Sequence, residues 1–242
     1  MYHSLYIGDK NTWDDYNLVP SEKIYFPKAN QKTQEVEIEG ASGSLDFSTF
    51  VTGYPIYSNR SGNIGFYMLD AVDARSLANS GSAFPANYTF YDIFSKVYND
   101  LDGKTFRMWL EDDPDWFYEG RVNVDCDMGK PRPKVVLSYD IGPYKKRRMA
   151  QRYTLNGMGA IINRQIIPVE ILSSMPTDFT LTVTGGPATV TFQCSALNIN
   201  ETKTLQEGTH NIYEWIMYGE SALLVSAATT VKVTMEFIPG RL

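Results

Sequence analysis

At 242 residues the chain can hold one large domain or two small ones, and either buries enough surface to fold without covalent staples. Its 22 basic and 28 acidic residues leave a net charge of −6, which argues against a protein that grips nucleic acid by its phosphates; a surface past which DNA slides without sticking is compatible with it. Two cysteines in different halves, Cys126 and Cys194, and two histidines argue against a disulfide framework and a typical zinc site, so both cysteines read as small core or strand residues.

Residues 1–10 lack a basic region followed by an apolar run, and no later segment approaches the roughly twenty apolar residues of a membrane span, so neither a secretory signal nor membrane insertion is expected. Residues 11–20 read as a long lead-in. An alternating strand is predicted over 34–40 and a second over 63–70, after a loop at 54–62. A loop rich in Ser, Ala, Asn and Gly over 73–86 then leads to a helix.

That helix is predicted over 90–101, because Phe90, Ile93, Phe94, Val97, Tyr98 and Leu101 recur at helical spacing along one stripe. Thr89 can cap it with Asp92 as the reciprocal partner, and Gly103 can take the left-handed conformation that ends it. The period then changes to two. Phe106, Met108 and Leu110 point one way and Arg107, Trp109 and Glu111 the other. Asp112-Asp113-Pro114-Asp115 is a turn, 116–124 returns as a second strand and 134–140 makes a third, giving a helix on an antiparallel meander.

The run Lys145-Lys146-Arg147-Arg148 follows Gly142-Pro143-Tyr144. Four adjacent like charges resist burial, so the run reads as a solvated linker and marks a boundary between domains at 1–148 and 149–242. DNA binding is the competing reading of these charges, poorly supported in an acidic chain. Beyond them the pattern is purely β, with strands predicted over 165–172, 179–184, 188–193, 203–206, 222–226 and 230–238. Turn signals at Gly185-Gly186-Pro187 and Glu207-Gly208-Thr209 complete the pattern of a sandwich or jelly roll of roughly ninety residues.

Several stretches of the first half resemble the distal tail proteins (Dit) of long-tailed phages that infect Gram-positive bacteria. The likeness rests on Asn11-Thr12-Trp13-Asp14-Asp15-Tyr16 with Leu18-Val19-Pro20, on Val36-Glu37-Ile38 with Gly40-Ala41-Ser42-Gly43-Ser44-Leu45-Asp46, on the run from Leu110 through Glu119-Gly120-Arg121, and on Tyr139-Asp140 with Pro143-Tyr144-Lys145. These recur in the family's order over residues 1 to about 148. Phe26-Pro27-Lys28-Ala29 and the stretch from Gly129 to Pro133 depart from the family pattern, and the second half carries no matching motif.

The resemblance implies a mainly β protein: an α+β N-terminal split barrel with one helix, related to tail-tube proteins, and a C-terminal galectin-like β-sandwich. It further implies a hexameric ring that joins the tail tube protein to a tail-associated hub protein, with receptor-binding or baseplate proteins attached outside. Such a protein is non-enzymatic, sits at the distal end of the phage tail in the virion, is made in the host cytoplasm, and lets DNA pass its lumen unbound.

The candidate sites are weighed on chemistry. Glu111, Asp112, Asp113 and Asp115 form the one acidic cluster, but a catalytic carboxylate pair needs environments that push two pKa values apart, which an open hairpin tip does not supply. Charges that steer a neighbouring subunit fit the tip better. Trp109, Trp116 and Tyr118, with Asp112 and Asp113, are therefore the expected subunit interface, since alternation cannot bury every ring of the hairpin on one face. Gly103-Lys104-Thr105 imitates the end of a phosphate-binding loop, but Tyr98 stands where its first glycine belongs. No nucleophile elbow is present, His3 and His210 lack partners at ligand spacing, and no cofactor or metal is expected.

Two competing functions remain. In the first, the C-terminal sandwich is a carbohydrate-binding module for host cell-surface saccharide, using Tyr213, Trp215 and Tyr218; the bland reading has these rings plug the sandwich or dock another tail protein. In the second, the chain is a cell-wall hydrolase, for which no nucleophile, metal set or buried acid pair is recognisable.

Overall fold

A computed structural model of the chain describes residues 4–37, 39, 44–70, 88–129, 132–162 and 175–242. Strands β1 (Leu5–Ile7), β2 (Lys10–Asn11) and β3 (Leu18–Pro20) come first, followed by β4 (Glu35–Glu37), β5 (Ser44–Asp46) and the long β6 (Arg60–Met68). Helix α1 (Phe90–Leu101) leads into β7 (Lys104–Leu110), β8 (Trp116–Asp127) and β9 (Lys134–Ile141), and a short β10 (Lys145–Arg147) follows. Next come β11 (Gln151–Asn156), β12 (Gly159–Ile162), β13 (Thr180–Thr184), β14 (Ala188–Cys194) and β15 (Ile199–Leu205). The described chain ends with β16 (Gly208–Asn211), β17 (Ser221–Ala227), β18 (Lys232–Phe237) and β19 (Gly240–Arg241). Two compact units result: the first comprises Met1–Asn30 and Ser58–Lys145, the second Gln31–Tyr57 and Lys146–Leu242.

The first unit is built on an antiparallel sheet in the order β2-β1-β7-β8-β9-β6-β3. Its two ends are only a few residues apart in the chain, and buried Thr12 draws them together. The Thr12 N–H donates to the Leu5 carbonyl on β1 at 3.0 Å, while its own carbonyl accepts from Leu18 on β3 at 2.9 Å. The sheet is therefore curled into a half-barrel. Asn11 shapes the connecting turn by accepting from the amides of Trp13 and Asp14, as an Asx side chain does. What the sequence presents as a lead-in is the seam of the barrel.

The expected helix and meander are present. Thr89 and Asp92 form the reciprocal capping box, with Asp92 N–H donating to Thr89 Oγ1 and Thr89 N–H to the Asp92 carboxylate. Gly103 takes φ +68°, which lets the chain reverse from α1 into β7 without a Cβ clash. Ile93, Val97 and Leu101 enter the core against Val122, Val135, Leu137 and Phe66. Each such side chain contributes about 1.5–3 kcal/mol on burial, before the cost of ordering it. The apolar stripe is narrower than predicted: Phe94 is only half-buried, and Tyr98, one edge of the stripe, is turned outward.

In the second unit, sheets β11-β18-β13-β16 and β12-β17-β14-β15 are both antiparallel. Leu181, Val183, Val233 and Met235 from the first and Val190, Phe192, Cys194 and Val225 from the second share one core, the arrangement of a sandwich. β4 and β5 pair separately as a two-stranded ribbon. Strands at 151–156, 159–162 and 208–211 were not anticipated, and the strand predicted over 165–172 lies outside the described residues, as does the loop at 73–86. The reading of the basic run as a solvated linker needs correction. Its first three residues form β10, with the Arg147 N–H donating to the Pro239 carbonyl at 2.8 Å, and Lys145 is largely buried because Asp113 neutralises it.

Candidate functional site

Among the described residues no group of three His, Cys, Asp or Glu side chains could hold a metal, and no helix is long and apolar enough to cross a membrane. His3 lies outside the described residues; His210 donates from Nε2 to the Gln206 carbonyl at 2.8 Å. Burial, reinforced by Asp125 and Asp127, pushes the Cys126 thiol up, away from the reactive thiolate. The candidate sites are accordingly two clusters of aromatic and charged side chains, one in each unit.

The first surrounds the β7–β8 hairpin. The turn closes with Asp113 N–H donating to the Leu110 carbonyl and Trp116 N–H to that of Asp113. Glu111 reaches back to the Ser4 amide at 3.0 Å, Asp112 stays exposed, and Asp113 forms an ion pair with Lys145. Lys145 Nζ also lies 5.8 Å from the centre of the Trp116 ring, so Asp113, Trp116 and Lys145 come together as one group. Trp109 stands across from Tyr6 in the β1–β7 register, and the two rings stack at 5.1 Å. Tyr118 packs on Phe26 at 4.7 Å beneath the Arg60 guanidinium, which lies 5.1 Å away.

Of the residues expected at a subunit interface, Asp112 is exposed, and Trp109, Asp113 and Tyr118 each keep part of their surface. Trp116 does not. It is buried, as is its neighbour Phe117 under Arg107, so strict alternation fails at the start of β8 and Trp116 offers no ring face to another subunit.

The second cluster is at 213–218. Trp215 is 0 % exposed: its ring stacks on Phe192 at 5.5 Å, Lys203 lies over it at 5.6 Å, and its indole N–H donates to Glu201 at 2.9 Å. A sugar platform needs a free ring face, so Trp215 is corrected from candidate ligand contact to core residue. Tyr218 is half-buried, 5.3 Å from Tyr54, with its carbonyl accepting from Cys194 Sγ and Ser221 Oγ. Tyr213 alone of the three stands clear, 79 % exposed. The structure thus brings two of the rings into contacts within the unit and leaves the third in solvent.

Three features escaped the sequence reading. The outer side of α1 carries exposed Tyr91 and Tyr98, with Tyr88 just before it. Tyr98 lies at helical spacing on the edge of the apolar stripe, yet its ring is exposed. The turn that follows the two-stranded ribbon carries Phe50 and Val51, 80 % and 92 % exposed. Arg60, only 5 % exposed, donates to the carbonyls of Pro27 and Pro143, and no local pattern could have found it because its partners are main-chain atoms far away in sequence.

Neither a family model nor a curated protein matches the sequence. Among solved structures, the chain resembles the Dit protein of phage SPP1, presented as a paradigm of the hub adsorption apparatus in phages infecting Gram-positive bacteria. The match covers 100% of both chains with a TM-score of 0.60 at 11% identity. The chain has the fold of that protein from end to end.

Proposed function

We propose that this chain is a non-enzymatic structural protein of the distal tail of a phage infecting Gram-positive bacteria. In this reading it forms a hexameric ring that joins the tail tube to the tail tip or baseplate and anchors host-recognition proteins. The observation that carries the reading is the likeness of fold over the full length of both chains, which a shared single domain would not produce. The mechanism is assembly: subunits meet head to tail in a heterologous contact that closes into a ring, and unpaired strand edges and exposed rings supply the surfaces. Residues 1–148 are the ring-forming split-barrel part and residues 149–242 a galectin-like sandwich.

Trp109, Asp112, Asp113 and Tyr118 belong to the subunit contact, and Trp109→Ala is expected to weaken ring assembly more than subunit folding, read by light scattering beside urea unfolding. The lumen is neutral or acidic so that DNA passes unheld; a cluster of lumen-facing Lys and Arg would contradict this. The tail tube protein binds one ring face, a tail-associated hub protein the other, and receptor-binding or baseplate proteins the periphery. The chain is made in the host cytoplasm and ends at the distal tip of the virion tail. Gold-labelled antibody against the chain tests this directly on virions that carry it: label at the distal end of the tail is expected, and label on the capsid or none on intact virions would overturn the proposal.

A further inference from the structure

The chain passes between the two units three times, from Asn30 to Gln31, from Tyr57 to Ser58 and from Lys145 to Lys146. Within the first unit, all three connections run past one buried cation. Arg60 stands just after the second crossing, at the start of β6. Its Nη1 donates to the carbonyl of Pro27, shortly before the first crossing, at 2.9 Å. Its Nε and Nη2 donate to the carbonyl of Pro143, shortly before the third, at 2.9 and 2.6 Å.

A guanidinium presents its N–H groups in a rigid planar fork, so one side chain can hold separate segments in fixed directions; an ammonium is a point charge that cannot. Burial strengthens these charge-assisted bonds and raises the cost of losing them. Two further contacts fasten the same places. The Ser58 N–H donates to the Asn30 carbonyl at 2.8 Å, and Lys145 is held by Asp113.

We infer that Arg60 is a positioning clamp that fastens all three connections at one point of the first unit and sets the stiffness of the connecting segments. It holds whether or not the chain forms a ring. Hydrogen exchange on the full chain tests it, comparing unaltered protein with Arg60→Met, Arg60→Lys and Tyr118→Phe. Both Arg60 variants are expected to speed exchange about tenfold at 28–32, 56–60 and 144–147 together, while α1 and β9 keep their protection and Tyr118→Phe changes little. Unchanged connections, or a uniform rise through the core of the first unit, would overturn the clamp. Should Arg60→Met fail to fold, the unaltered chain still decides: the three segments are expected to open together with one denaturant dependence, and independent opening of any one contradicts the inference.

Discussion

The sheet faces of the second unit and the helix face of the first treat solvent in opposite ways. On the sandwich, many outward positions carry hydroxyls that satisfy one another across strands, as in Thr154 with Thr234, Thr182 with Thr209, Thr189 with Thr204 and Thr191 with Thr202, and the exposed Leu224 opposite Thr191 is an apolar exception. One rank runs across all four strands of a sheet, since Thr154 faces Thr234, Thr234 faces Thr182 and Thr182 faces Thr209. On the first unit, α1 turns Tyr91 and Tyr98 outward. The face of the β11-β18-β13-β16 sheet satisfies its own polar groups; the helix face exposes apolar area that another molecule can cover. Assembly is thus expected to depend on the helix side of the first unit far more than on the sheet faces of the sandwich.

The largest expected effect breaks the comparison at the core. Trp215→Ala should cost about 3–5 kcal/mol. Protection of β14 amides from exchange should fall while that of α1 is retained, because the two cores are separate. A variant of full stability would return Trp215 to the surface. Next comes Gly120→Ala in the first unit. A Cβ there would run into the Asp140 carbonyl and the Ile141 Cα, backbone that cannot swing aside, so a loss of about 1–3 kcal/mol is expected in urea unfolding.

A smaller effect sharpens the contrast between faces. Tyr91→Ser with Tyr98→Ser should leave subunit stability within about 0.5 kcal/mol yet raise the concentration needed for assembly about tenfold. Thr182→Ala with Thr234→Ala should cost about 0.2–1 kcal/mol of stability and leave assembly unchanged. Equal effects of the two pairs on the assembly midpoint would erase the distinction.

The smallest concerns pH. Burial alone would raise Asp100, but hydrogen bonds from Lys96 and Tyr16 outweigh it and hold its carboxyl below the usual range. The folded-state value is therefore the lower one, and the stabilisation is present above the unfolded value of about 4 and lost as pH falls through the folded one. Burial and the neighbouring Asp100 push the Tyr16 phenol well above its ordinary value, so it remains a donor throughout. Asp100→Asn should flatten the acid side of the stability profile of the first unit; an unchanged profile would remove Asp100 from it.

Local chemistry was legible where it decided structure locally. Thr89, Asp92 and Gly103 mark the ends of α1, and alternation from Val135 to Ile141 marks a strand with one buried face. The seam at Thr12 was not legible, because its partners Leu5 and Leu18 pair through backbone atoms only after the sheet has curled. The strand at 208–211, Gly-Thr-His-Asn, carries no apolar residue and is defined by pairing with β13. The candidate sites were harder still. Trp215 and Tyr213 are two residues apart with the same aromatic character, and only the stack on Phe192 tells the buried ring from the exposed one. Lys145 escaped the fate of a solvated charge because Asp113, far away in sequence, neutralises it.

The proposed closure of the chain into a six-membered ring is the point most open to test. Light scattering after gel filtration, with negative-stain images of the same peak, measures it most directly. A mass of six times the 27.4 kDa chain with six-fold symmetric particles is the expected result. A monomer at every concentration, unchanged by addition of the tail tube protein, would contradict it.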